Sequence, residues 1–170
     1  VVAIGSFDGV HLAHQKIINR INKLAASING NSVIITFHPH PRLIIKPKDN
    51  YKLQLLTTTE EKAELLEKYG VDHLIIVPFT KEFANWEPQD FVQKILIELV
   101  KTKKIVIGYN HKFGKNRSGD IHFLKEQGIK EGFAVEEIPQ QLLDEIAISS
   151  SKIRNMLSDG KIIEANKLLG

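Results

Sequence analysis

Four short apolar runs, Val1 to Ile4, Val33 to Phe37, His73 to Val77 and Ile105 to Gly108, recur along the chain, and a stretch of helical period separates each from the next. Runs this short, rich in Val and Ile and bounded by turn formers, read as strands buried on both faces, the signature of a parallel sheet. Parallel strands need long crossovers. The intervening segments Gln15 to Ser27, Glu60 to Tyr69 and Pro88 to Val100 supply them, with apolar residues at helical spacing. Thr57 and Thr58, each followed three residues on by Glu60 and Glu61, offer capping boxes, and Pro88 suits a first helical position. The expected fold is α/β: a doubly wound, Rossmann-like parallel sheet with helices on both faces and right-handed crossovers. Phe133 to Glu137 adds a strand and "DEIAI" another, while "SSKIRNMLSDGKIIEANKLL" closes the chain as two short helices split at Asp159 and Gly160.

A chain of 170 residues, 42% hydrophobic, is large enough for one domain over 1–170 with a real core. A net charge of +3 is too small for a dedicated nucleic-acid binder, whereas a pI near 9.0 suits a compact polyanion such as a nucleotide. Cysteine is absent, which removes disulfides and thiolate metal sites and fits a cytoplasmic protein. No apolar run reaches membrane-spanning length, and no signal peptide precedes the first strand, so no membrane partner is expected. The chain begins inside a strand without an initiating Met, and so reads as a piece of a longer protein.

In a sheet of this kind ligands sit at the carboxyl ends of the strands, where loops lead into helix N-termini. "GSFDGVHLAHQ" occupies that place after the first strand. Gly5 and Gly9 allow a tight turn and a close backbone approach, and the following helix presents unpaired N–H groups to an anion. His11 and His14 are spaced so that both imidazoles point to one side and donate to a phosphate chain. The same spacing would serve a zinc site, with Asp8 as the nearest third ligand, or two surface residues.

"IAISSSKIRNML" puts serines at a helix start and Lys152 and Arg154 in its first turn, where cations oppose the helix dipole. An anion relieves that conflict, with Ser149 or Ser150 capping the helix and Arg154 gripping a phosphate through its planar fork. "GYNHKFGKNRSGD" follows the strand ending at Gly108 and reads as a ligand-contacting loop, in which Tyr109 and Phe113 flank a planar ring and the Asn110 amide bonds a heterocycle edge or a phosphate. In "TFHPHPRLIIKP" the prolines Pro39, Pro41 and Pro47 stiffen an extended wall, and His38 and His40 between them are expected to be exposed.

Together these stretches resemble the adenylyltransferase (FAD synthetase) module of bacterial bifunctional riboflavin kinase/FMN adenylyltransferases, within the HxGH nucleotidyltransferase superfamily. "GSFDGVHLAHQ" is similar to the family's G-x-F-D-G-x-H-x-G-H-Q, "TFHPHP" to T-F-x-P-H-P, "GYNHKFGKNRSGD" to G-x-[DN]-F-x-F-G-x-x-R-x-G, and "ISSSKIR" to I-S-S-T-x-I-R. The resemblance implies a nucleotidyltransferase-type fold and the transfer of AMP from ATP to FMN, with Mg²⁺, giving FAD and pyrophosphate. It implies that His11 and His14 contact ATP phosphates, that Ser149, Ser150 and Arg154 hold the triphosphate from across the cleft, and that Gly5, Ser6, Phe7 and Asp8 shape the nucleotide pocket. His11, His14 and Arg154 become the catalytic candidates. Pro39, Pro41, Asn110 and Phe113 match flavin-lining positions, and no metal ligand is assigned. A riboflavin kinase domain is expected C-terminal to this chain in the full-length protein.

The chain departs from the pattern at three positions. Ala13 stands for the second glycine of H-x-G-H and adds a methyl where the backbone nears the nucleotide, His111 stands for phenylalanine beside Asn110, and Ser151 stands for threonine. The alternatives are another HxGH-type nucleotidyltransferase and a non-catalytic flavin- or nucleotide-binding relative.

Overall fold

The computed structural model describes residues 1–45, 53–108, 111–138 and 148–170. The strands β1 (Val2–Ile4), β2 (Val33–His38), β3 (His73–Pro78), β4 (Lys104–Gly108) and β5 (Ala134–Ile138) form one sheet in the order β3-β2-β1-β4-β5, and every pairing is parallel. Ile4 stands beside Ile35, and Ala3 beside both Ile34 and Val106. Successive residues of a strand face opposite sides, so each central strand feeds two cores. Val2, Ile4, Val33, Ile35, Ile105 and Ile107 pack on one side with Phe91, Leu96 and Leu124, and Ala3, Ile34 and Val106 pack on the other with Ile18, Ile21 and Leu66. That double burial explains why the central strands read as continuous apolar runs. β3 is the exception: as an edge strand it leaves His73, Ile76 and Pro78 exposed.

The helices are α1 (Leu12–Ser27), α2 (Pro41–Ile45), α3 (Thr59–Lys68), α4 (Lys81–Ala84), α5 (Pro88–Phe91), α6 (Ile121–Glu131), α7 (Ser150–Ser158) and α8 (Ile162–Leu169). Of the two expected capping boxes only Thr58 with Glu61 forms; Thr57 turns to the loop after β1. The single helix expected over Pro88 to Val100 begins as α5 and continues as a π-helix, Val92–Leu99. The proline-rich stretch is not an extended wall. After a cis His38–Pro39 bond it coils at once into α2, and Pro47 lies outside the described residues. "DEIAI" likewise lies outside them except for Ile148. Among the described residues no helix is long and apolar enough to cross a membrane.

The sheet order reverses direction between β1 and β4. The crevice outside the carboxyl ends of that pair is where doubly wound sheets bind ligands, and the loops Gly5–His11 and 111–120 flank it.

Candidate functional site

The loop leaving β1 is bent sharply. Phe7, Gly9 and Val10 all have positive φ (45°, 80° and 37°), and a Cβ on Gly9 would come within 2.7 Å of Leu56. Gly5 has no positive φ; a Cβ there would press to 3.1 Å on the Phe7 ring. Ser6 carbonyl accepts from Thr36 Oγ1 at 3.1 Å, which fastens the loop to β2.

The bend delivers Asp8 into the protein, 1% exposed. One carboxylate oxygen accepts the Leu56 and Thr57 amides at 2.9 and 3.2 Å, and the other accepts Arg154 Nη2 at 2.5 Å. Lys152 stands in the first turn of α7, and Arg154 stands at the start of the second, still near the helix N-terminus. Its conflict with the helix dipole is therefore met inside the protein by Asp8. Ser149 caps α7 by accepting Lys152 N at 3.2 Å, and Ser150 Oγ donates to Asp8 carbonyl at 3.0 Å. Ser151 Oγ accepts from Arg42 of α2 at 3.2 Å.

His11 is the N-cap residue of α1, with no side-chain capping bond, and His14 lies in the first turn. Their rings stack at 3.7 Å and 15°, and Phe7 leans on His14 at 4.9 Å. Burial pushes the His11 pKa down to about 4 and that of His14 well below its usual value. At neutral pH both are therefore uncharged, each with one N–H to donate and one nitrogen to accept. His11 Nδ1, His14 Nδ1 and Arg154 Nε are buried with no hydrogen-bond partner. Buried polar atoms normally find partners, so three orphans in one cluster mark a place built for a polar ligand. Among the described residues no group of three His, Cys, Asp or Glu could hold a metal ion. The zinc alternative therefore loses its ligand set there.

Beside this cluster lies a cavity of 1020 Å³, lined by Pro41, Arg42, Ile44 and Ile45 on one wall, Lys81, Ala84 and Asn85 on another, and Gly114 to Arg117 on a third. Apolar walls with a rim of cations suit a flat heterocycle that carries a phosphate. Pro41 is thus in the wall, and Pro39 is exposed just before it. Phe113 is set one step behind the wall, its ring packed with Phe91, Phe123 and His111. Asn110 and Tyr109 lie outside the described residues. His111 is partly buried with an unpartnered Nε2, and burial lowers its pKa to about 4.

Two departures from expectation stand out. His40 is half-buried, with its pKa lowered by burial to about 4 while Asp8 pulls it upward. Ala13 is buried in the first turn of α1, between His11 and His14 in sequence. The sequence reading missed Lys62, an 8%-exposed cation in the first turns of α3, and the α4 residues Lys81 and Asn85 in the cavity wall. The sequence carried no signal that set Lys62 apart from the other charges of α3, because its burial comes from how α3 seats on the loop after β1.

Comparison with known proteins agrees with this geometry. A family model described as FAD synthetase matches residues 1–152. A bifunctional riboflavin kinase/FMN adenylyltransferase from Buchnera aphidicola is 38% identical over 170 residues, covering 99% of this chain and 54% of the relative. A FAD synthetase from Listeria monocytogenes is 37% identical over 173 residues, covering 100% of this chain and 68% of the relative. The chain spans about half the length of the bifunctional relatives. A crystal structure described as a macrolide-efflux protein from Streptococcus pneumoniae superposes with a TM-score of 0.85 at 29% identity, over 99% of this chain and 54% of that one.

Proposed function

Because this chain belongs to the FAD synthetase family, we propose that residues 1–170 transfer the adenylyl group of ATP to the phosphate of FMN, giving FAD and pyrophosphate. An FMN phosphate oxygen bonds to the α-phosphorus as the bond from that phosphorus to the bridging oxygen of pyrophosphate breaks. No enzyme nucleophile is needed. The protein's task is to align two anions and to hold donors where charge develops.

The observation that carries this reading is the orphaned cluster of His11, His14 and Arg154 at the sheet's switch point, beside a cation-rimmed cavity. In this reading the neutral imidazoles donate to ATP phosphates, and Arg154 grips the triphosphate with its free Nε while Asp8 aligns its other arm. Ser149 and Ser150 fix α7 at the correct height. Gly5, Ser6, Phe7 and Asp8 form the bend that brings His11 and His14 together. The cavity takes the flavin, with Pro39, Pro41, Asn110 and Phe113 as its framing residues and Arg42, Lys81, Lys115 and Arg117 as its cations.

Asp8, the carboxylate at the centre, has both oxygens engaged by Leu56, Thr57 and Arg154. This donor set fits a Mg²⁺ that arrives on the triphosphate, as magnesium at phosphate sites commonly does, better than one held in a protein cage. Bound there, the ion would neutralise charge on the departing pyrophosphate. We place the riboflavin kinase activity that the bifunctional relatives are named for outside residues 1–170, in a C-terminal domain of the full-length protein.

The test is to incubate the chain with ATP, Mg²⁺ and either FMN or riboflavin and to follow products by chromatography. FAD and pyrophosphate from FMN alone are expected. Turnover of riboflavin at the same rate would contradict a phosphate acceptor, and ligand binding without pyrophosphate release would identify a non-catalytic relative.

A further inference from the structure

Two helices start at the carboxyl edge of the sheet with a cation near their N-terminus, and both lean on Asp8. Arg154 of α7 is paired with that carboxylate. Lys62 of α3 is not: it is 8% exposed, and among the described residues its ammonium has neither an ion-pair partner nor a hydrogen bond. Its seat is firmly built. The residues just before α3 hold Asp8 through the Leu56 and Thr57 amides, Gly9 N donates to Thr57 Oγ1 at 3.1 Å, and the Thr58–Glu61 box locks the helix start.

A largely desolvated cation is costly, and the cost grows in a helix's first turn, where the dipole is also positive. Burial accordingly lowers the Lys62 pKa, against the pull of Asp8. Its charge is felt at both His14 and His40. These two belong to opposite halves of the site: His14 to the orphaned imidazole pair, and His40 to the turn between Pro39 and Pro41 that leads into the cavity wall. The start of α3 touches both halves directly, through Leu56 and Thr57, which bond the loop that carries His11, and through Thr59, whose Oγ1 lies 3.3 Å from His38 Nδ1 at the end of β2. Lys62, in the same first turn, therefore stands at the seam between them.

We propose that Lys62 bridges the two reacting phosphates, contacting the acceptor phosphate of FMN and the α-phosphate of ATP together, a role that rests on the FAD-forming reading above. Two phosphates brought within bonding distance repel each other strongly in a low-dielectric crevice. A cation between them lowers that repulsion in the ternary complex without being required by either ligand alone. This sets Lys62 apart from Arg154 and the cavity cations, which each serve one ligand.

The experiment measures FMN binding by quenching of flavin fluorescence, with and without a non-hydrolysable ATP analogue and Mg²⁺, in wild type, Lys62→Met, Lys62→Gln and Lys62→Arg, alongside steady-state FAD formation. In wild type the analogue should leave FMN affinity unchanged or raise it. In Lys62→Met and Lys62→Gln each ligand alone should bind within threefold of wild type, but the analogue should weaken FMN by about tenfold or more, and kcat should fall by about 10²-fold, the scale of losing one preorganised charge partner. Lys62→Arg should restore most of the coupling. A purely structural lysine would move melting temperature and single-ligand affinities instead. If wild type makes FAD and the Met and Gln variants keep both kcat and the coupling, the role of Lys62 is overturned while the parent reading stands. If wild type binds FMN and ATP analogue but makes no FAD, the parent reading falls and this role falls with it.

Discussion

Asp8 and Arg154, 146 residues apart in sequence, meet at 2.5 Å with the carboxylate 1% and the guanidinium side chain 11% exposed. Removing one member of a pair so deeply buried leaves an uncompensated charge. Asp8→Asn should therefore lower stability by about 3 to 5 kcal/mol, the usual cost of breaking a buried ion pair. Urea unfolding of the two proteins at pH 7.5 measures it; a loss below about 1 kcal/mol would mean that the pair behaves as a surface one.

His14→Ala should act on turnover more than on flavin affinity, since under the proposed function the lost donor serves the ATP phosphates. A fall of about 10² to 10³ in kcat is the scale for one preorganised donor, with the FMN dissociation constant within threefold of wild type. Steady-state kinetics and fluorescence titration on one preparation decide it, and an unchanged kcat removes His14 from the chemistry.

The pH dependence of stability follows from the buried imidazoles. His11 and His111 have pKa values near 4 in the fold, against 6.5 when unfolded. Between those values the unfolded chain binds more protons, so stability is complete above pH 6.5 and is lost as pH falls toward 4. A fully buried histidine contributes a slope of at most about 1.4 kcal/mol per pH unit. His111→Phe removes one such slope and leaves no donor unsatisfied, because Nε2 has no partner to lose. It should raise the urea midpoint at pH 5 more than at pH 8; an equal change at both would show that His111 does not titrate in this window.

Gly9→Ala should cost about 2 to 4 kcal/mol, combining a residue forced to positive φ with a methyl driven into Leu56. Because Gly9 N also bonds Thr57 Oγ1, ATP affinity should fall with stability. Melting temperature and nucleotide titration report the two effects, and a variant as stable as wild type would refute the tight fit.

The central sheet was legible because β1, β2 and β4 are buried on both faces and so carry unbroken apolar runs. The helix after Pro88 was legible as a helix but not as a π-helix: over "VQKILIEL" the apolar residues are too dense for spacing to separate one winding from another. The His11 and His14 pair and the Ser149 cap were legible because their geometry is local, set within one turn of a helix start. Lys62 was not. In "TEEKAELLEK" it is one more cation on a charged helix, and its burial arises only when α3 seats on the loop after β1. His40 escaped for the same reason, since the charges around it, Asp8, Arg154, Arg42 and Lys62, come from four separate parts of the chain. Ala13 was placed in the correct turn, and its burial was not legible, because helical phase alone did not say which side of α1 met the core.

Residues 1–15 and 150–170 are sewn together. Arg154 and Ser150 hold Asp8, and Gln15 Nε2 donates to the carbonyls of both Val10 and Leu169, at 3.0 and 2.9 Å. A nascent chain that has reached β4 already owns the sheet's switch point, yet lacks Arg154 and the rest of α7 to close over it. Nucleotide affinity should thus arrive in one step, when α7 is made. Once present, ATP will shield the loop after β1 and helices α7 and α8 from proteases together, since ligand that binds only the closed arrangement stabilises every segment that arrangement requires.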